Sequence, residues 1–349
     1  MGELRAAAVM SGVLHFIVPA GVDDACHPSG GNRYDRKLSD ELTRRGWTVV
    51  EHRHAAGGAD PLNAIPDDAL VLADVLVALQ TPDAFVAHAR RLRLVVLSHM
   101  AFGDEHEAAL LGAARAVVVT SEAAREALVA RHQLDADAVR VAAPGVDQGE
   151  LAAPTDHGGR LLCVGVVAPH KGQDVLVAAL ARIRDRVWDC ALVGAVDRDP
   201  VFAARVRRRI TRAKLRSRVS LTGPLSPDQL DTAYQGADLL VSASHSESYG
   251  MAIAEALSHG VPVLCTDVGG VAEAIGGAVD GRRPGFLVPA GDPEALAGAL
   301  REWLDDAALR AELRAAARRR RRTLPGWSET AEAVARTLNQ TAAATEIPA

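Results

Sequence analysis

The sequence predicts an α/β protein built of two doubly wound units, and three observations carry that expectation. At 349 residues the chain exceeds one domain of roughly 100–200 residues. Short β-branched runs alternate with helical stretches, as parallel strands joined by crossover helices require. Near the middle, the polar, Gly-rich stretch Pro154-Thr-Asp-His-Gly-Gly159 interrupts the alternation and reads as a linker.

In the first half, strands are expected at residues 14–20, 47–52, 70–79, 93–98, 116–120 and 139–142. Between the first two, residues 32–45 place Tyr34, Leu38 and Leu42 at four-residue spacing, which makes one apolar helical face, and Gly46 ends it. In the second half, strands are expected at 161–165, 190–194, 218–222, 238–242, 262–266 and 285–288. Helices fall near 171–186, 200–214, 226–236, 249–259 and 293–304. Residues 307–322 read as a further helix, Pro325-Gly326 breaks it, and residues 328–339 form a last one, with Ser328 and Glu329 suited to its N-terminal end. The tail from about Thr341 is expected to fray. The expected domains are therefore 1–150 and 151–325, with 326–349 a C-terminal helix and tail crossing back towards the first. Two open sheets of this kind would bind a ligand in a cleft at the carboxyl ends of their strands.

Composition narrows the partner. Forty-four acidic residues against 39 basic ones leave a net charge of -5, which excludes a whole-surface nucleic-acid binder and favours a small ligand. With four Trp, three Tyr and five Phe, Ala, Val and Leu must build the cores. Cys26, Cys163, Cys190 and Cys265 have no C-x2-C spacing, so neither a zinc site nor a disulfide framework is expected, and a reducing cytoplasm fits. Residues 1–20 imitate a signal peptide, but His15 interrupts them and Leu14–Ala20 reads as a buried strand. No apolar run reaches the length of about 18 residues that a spanning helix needs.

A G-x-G-x-x-G turn is missing after every expected strand, as is a G-x4-G-K-[ST] loop, so nicotinamide, flavin and P-loop chemistry have little support. Gly165 ends a strand, and Lys171-Gly172 lies just ahead of a helix. A lysine beside free helix N–H groups favours an anion, most simply a diphosphate, although such a pair is often only a solvated turn. Glu247 and Glu255 have seven residues between them, with Gly250 opening a helix. Glu255 can accept two hydroxyl hydrogen bonds, as from a ribose diol. The bland alternative, a helix with two surface glutamates, explains the acids but not their company.

Gly165…Lys171-Gly172, Glu247 and Glu255 around Gly250, Gly260-Val-Pro262, Gly269-Gly270-Val-Ala-Glu273 and Gly285-Phe-Leu-Val288 together resemble the retaining glycosyltransferases of family 4. The likeness covers residues 160–304 and implies the GT-B fold, two Rossmann-like domains facing across a cleft. It implies that Lys171 contacts the diphosphate of a nucleotide-sugar, Glu255 its ribose and Glu247 the hydroxyls of the transferred sugar. Gly165 and the backbone of Tyr249, Gly250, Met251 and Ala252 would add donor contacts. In the first domain the match is looser: Gly30 and Gly31 would lie beside the donor phosphates and the acceptor, and His99 would touch the sugar near its anomeric carbon. His99, Lys171 and Glu247 are thus the expected catalytic set. One departure stands out: Val166 follows Gly165 where the family commonly has arginine, so Lys171 carries more of the phosphate charge or another arginine, such as Arg33, substitutes.

No cofactor and no metal are expected; Asp197-Arg-Asp199 falls in a loop and is discounted as a metal motif. The expected partners are a nucleotide-sugar donor and a small-molecule, glycan or lipid acceptor, with no nucleic acid. Two arginine clusters, Arg205–Arg218 and Arg318–Arg322, read first as solvated helical faces. A peripheral contact with the inner face of the membrane is the second reading for an otherwise cytoplasmic protein. The competing functions are a nucleotide-sugar epimerase or phosphorylase of related fold, and a non-catalytic nucleotide-sugar-binding protein.

Overall fold

The computed structural model describes residues 12–277 and 282–344. The first eleven residues of the signal-like segment and the end of the tail lie outside them. The chain divides into two compact units. Met1–Asp23, Gly31–Gly145 and Trp327–Ala349 make the first, and Asp24–Gly30 with Val146–Gly326 make the second.

The first unit runs β1 (Val13–Pro19), α1 (Gly30–Arg44), β2 (Thr48–His54), β3 (Leu70–Asp74), α2 (Val75–Ala78), α3 (Pro82–His88), β4 (Arg93–Ser98), α4 (Glu105–Ala113), β5 (Ala116–Val119), α5 (Glu122–His132) and β6 (Val139–Val141). Its six strands form one parallel sheet in the order β2-β1-β3-β4-β5-β6. Tyr34, Leu38 and Leu42 of α1 are fully buried, as their spacing requires. Every residue of β3 is buried, which is why it reads as a continuous apolar run. The expected strand 70–79 is corrected here. Asp74 accepts hydrogen bonds from the Leu76 and Val77 amides, and this N-cap ends the strand and starts α2.

The second unit contains β7 (Arg160–Val164), α6 (Gln173–Leu180), β8 (Asp189–Val193), α7 (Pro200–Arg212), β9 (Val219–Gly223), α8 (Pro227–Gln235), β10 (Leu239–Ser242), α9 (Met251–Ser258), β11 (Val263–Thr266), α10 (Val271–Ile275), β12 (Gly285–Val288), α11 (Pro293–Asp305) and α12 (Ala307–Arg321). Its parallel sheet has the order β12-β11-β10-β7-β8-β9. The helix expected at 171–186 is shorter. Pro169–Lys171 form a separate 3-10 turn, and past Leu180 the chain continues in turns that bury Ile183 and Trp188. The last helix, α13 (Trp327–Ala343), belongs to the first unit and buries Trp327, Ala331, Val334 and Leu338.

In each sheet the connections leave one strand on both sides, between β1 and β3 in the first and between β7 and β10 in the second. Such switch points open a crevice at the carboxyl edge of a doubly wound sheet.

Candidate functional site

At the switch point of the second unit, the segments after β7 and β10 bring Lys171 and Glu247 together. Lys171 Nζ donates to Glu247 Oε1 at 2.6 Å, and Ser244 Oγ donates to the same oxygen at 2.8 Å. Both charged side chains keep some exposure, 23% and 14%, so a ligand can reach them. The two turns are tied directly, His245 N donating to His170 O at 2.7 Å. His170 is held below the usual imidazole range, first by burial and then by Lys171, so it adds no second positive charge at neutral pH. Among the described residues neither Lys171 nor Glu247 pairs with an arginine.

Gly165 stands just past β7. Gly250 precedes α9 with φ 101, in the left-handed region that favours glycine. Its conformation turns the chain so that the first amides of α9, at Met251 and Ala252, precede the first intrahelical donor, Ile253 N. Tyr249 is buried, and burial pushes its phenol up. Glu255 lies one turn into α9 and meets neither Lys171 nor Glu247; its Oε2 accepts from Tyr234 Oη of α8 at 2.8 Å. The Tyr234 ring stacks on His259 with centroids 5.2 Å apart.

Gly30 and Gly31 open α1, and in the first unit, which begins again at Gly31, His99 follows β4. A Cβ on Gly31 would stand 3.2 Å from His99 Cδ2, so glycine lets the imidazole lie against the helix start. His99 Nε2 lies 2.8 Å from Asp35 Oδ1 and 3.4 Å from Asp74 Oδ2. Tyr34 meets the ring edge-on, with centroids 4.9 Å apart. Burial pushes Asp35 up to about 8 and, with the Asp35 charge, Asp74 up to about 7, while burial lowers His99.

Sequence reasoning missed Asp35, Asp74, Tyr234 and Ser244. Asp74 carried a signal, an acid inside the otherwise apolar run 70–79. Tyr234 and Asp35 carried none, because their partners are distant in sequence. The arginine clusters divide once placed. Arg218 donates to the carbonyls of Trp188, Arg184 and Arg186 and lies 3.7 Å over the Trp188 ring. Arg321 donates to Ser258 O and Gly149 O. Arg207, Arg208 and Arg212 are exposed. Asp199 caps α7 through the Phe202 amide. All four cysteines are free, three of them buried. No helix among the described residues is long and apolar enough to cross a membrane.

A family model described as glycosyl transferases group 1 matches residues 154–320. A D-inositol 3-phosphate glycosyltransferase of Kineococcus radiotolerans is 32% identical over 250 residues, 65% of this chain and 57% of the relative. The chain spans a little over half the length of the curated relatives it matches. Among solved structures, sucrose-phosphate synthase from Thermosynechococcus elongatus superposes with a TM-score of 0.77 at 21% identity, covering 94% of this chain and 98% of that one. Anabaena HepE in complex with UDP-glucose gives 0.76 at 20% identity, covering 94% and 99%. These likenesses establish the fold, a two-domain Rossmann-like α/β architecture shared with GT-B glycosyltransferases. Through residues 154–320 the chain is thus similar to the glycosyl transferases group 1.

Proposed function

We propose that this protein is a glycosyltransferase that moves a sugar from a nucleotide-diphosphate-sugar to an acceptor hydroxyl, with retention at the anomeric carbon. The observation that carries the reading is the Lys171–Glu247 pair at the switch point of the second sheet, beside the amides that open α9. As the bond from the anomeric carbon to the diphosphate breaks, negative charge grows on the leaving oxygen. Lys171 and the α9 amides stabilise it, together with Gly165, whose lack of a side chain leaves the backbone open. Glu247, released from Lys171, holds the sugar hydroxyls, and Glu255 accepts from the ribose diol. His99, with Gly30 and Gly31, serves the anomeric side. The acceptor oxygen bonds to the anomeric carbon on the face the diphosphate leaves, and its proton passes to the departing phosphate oxygen. No resident metal or cofactor enters this scheme. The membrane reading of the arginine clusters loses Arg218 and Arg321, which are spent on backbone carbonyls; we assign the protein to the cytoplasm.

The test is nucleoside diphosphate release from a panel of nucleotide-sugars, with an acceptor set headed by D-inositol 3-phosphate because the curated relatives carry that acceptor in their names. Release that needs an acceptor and disappears in Lys171→Ala and Glu255→Ala supports transfer. Turnover without an acceptor supports an epimerase, and binding without turnover supports a binding module.

A further inference from the structure

Asp35, Asp74 and His99 come from three elements of the first unit, α1, the end of β3 and the turn after β4. The carboxyl side chains are 0% and 1% exposed and the imidazole 8%. Asp74 spends Oδ1 on the cap of α2. Asp35 Oδ2 and Asp74 Oδ2 are buried without a hydrogen-bond partner. Two buried carboxylates this close cannot both stay charged unless a cation joins them. The basic neighbour on α1, Arg36, is spent elsewhere: it pairs with Glu51 of β2 at 2.6 Å and with Asp23 at 2.9 Å. Tyr34 on α1 offers no charge, its hydroxyl donating to Ala142 O at 2.9 Å, and from α13 the group that reaches Tyr34 is Trp327. None of these neighbours supplies a cation, so the balancing charge is a proton on the cluster itself.

We propose that Asp35 is a positioning residue for His99. Asp35 Oδ1 accepts the Nε2 proton, fixing the tautomer in which Nδ1 keeps a lone pair for a substrate hydroxyl, while one acidic proton is shared between the Asp35 and Asp74 carboxyls. The order of roles follows from distance: Asp35 Oδ1 lies 2.8 Å from His99 Nε2 and Asp74 Oδ2 3.4 Å. Gly31 and the Tyr34 ring pack against the imidazole and restrict its rotation. The use of Nδ1 toward substrate rests on the glycosyltransferase reading; the tautomer and the shared proton do not.

The experiment is nitrogen NMR of histidine-labelled protein, with His99→Gln assigning the resonances, across about pH 5–8. The expected result is a neutral Nε2–H imidazole throughout in the wild type. Asp35→Asn should mix the tautomers and lower kcat about 100-fold with a donor KM changed less than about threefold, whereas Asp74→Asn should keep the tautomer and most of the activity. Circular dichroism establishes that each variant folds; should Asp35→Asn fail to fold, Asp35→Glu replaces it and should restore the Nε2–H form. Protonation of His99 within that range, or an Asp35→Asn imidazole identical to wild type, overturns the proposal. So does one-to-one Zn2+ or Mn2+ binding that both aspartate variants abolish, since the cluster would then be a cation site. If no donor is turned over by the wild type, the glycosyltransferase reading fails alone, because the tautomer is read without substrate.

Discussion

Lys171 is one of three lysines among 39 cationic side chains, and its compact ammonium reaches an oxygen that Ser244 already occupies. Lys171→Met leaves Glu247 with the serine alone. Chemical denaturation should record a loss of about 1–2 kcal/mol, and calorimetry should record nucleoside diphosphate affinity falling at least about tenfold. Asp35 and Asp74 set a second expectation at this scale. Both titrate above the ordinary carboxyl value of 3.8 in the fold, so their protonation favours the folded state. That contribution is complete below the unfolded value and is lost as the pH rises through 7 and 8. His99, held low by burial, works in the other sense, its contribution present above 6.5 and lost as the pH falls. Asp74→Asn keeps the α2 cap and removes an acid. Melting curves should show its advantage over wild type larger at about pH 9 than at about pH 6; equal differences would contradict the shared proton.

At the scale of elements, α9 depends on how it begins. With φ 101 and Ile253 Cδ1 only 2.8 Å from where a Cβ would stand, Gly250→Ala should cost about 1–3 kcal/mol and abolish the thermal shift produced by nucleoside diphosphate, which a differential scan can check. Helix α7 and the strand after it show why charge counting misleads. Arg218 satisfies three carbonyls and covers Trp188, so Arg218→Ala should destabilise the second unit by about 2 kcal/mol. Exposed Arg207→Ala should stay within about 0.5 kcal/mol. In the sequence both read as members of one basic run, since nothing local tells an arginine that reaches back to the backbone from one that faces water.

For the whole molecule, the chain's last helix returns to the first unit. Helix α13 buries Trp327, Ala331, Val334 and Leu338, its Trp327 ring meets Tyr34 at 5.7 Å, and Thr330 Oγ1 donates to Ala143 O at 2.8 Å. Truncation after Gly326 should therefore lower or abolish the calorimetric transition of the first unit and leave that of the second. Nucleoside diphosphate at about 100 times its Kd should raise the second transition by the equivalent of about 2.7 kcal/mol. A truncated protein that keeps both transitions would show that α13 is dispensable to the first core.

What the sequence determined by itself was periodic or contiguous. Most strands were legible because buried parallel strands are runs of apolar, β-branched residues, and the α1 face was legible because Tyr34, Leu38 and Leu42 repeat at helical spacing. The motif residues Lys171, Glu247, Gly250 and Glu255 could be named because their spacing is local. Tertiary structure decided what depends on neighbours distant in the chain: that Asp74 ends a strand and caps a helix, that Tyr234 donates to Glu255 across 21 residues, and that Asp35 meets His99 across 64. The physical reason is the same in each case. Burial and a partner give an ionisable group its charge and its role, and neither is written in its own stretch of sequence.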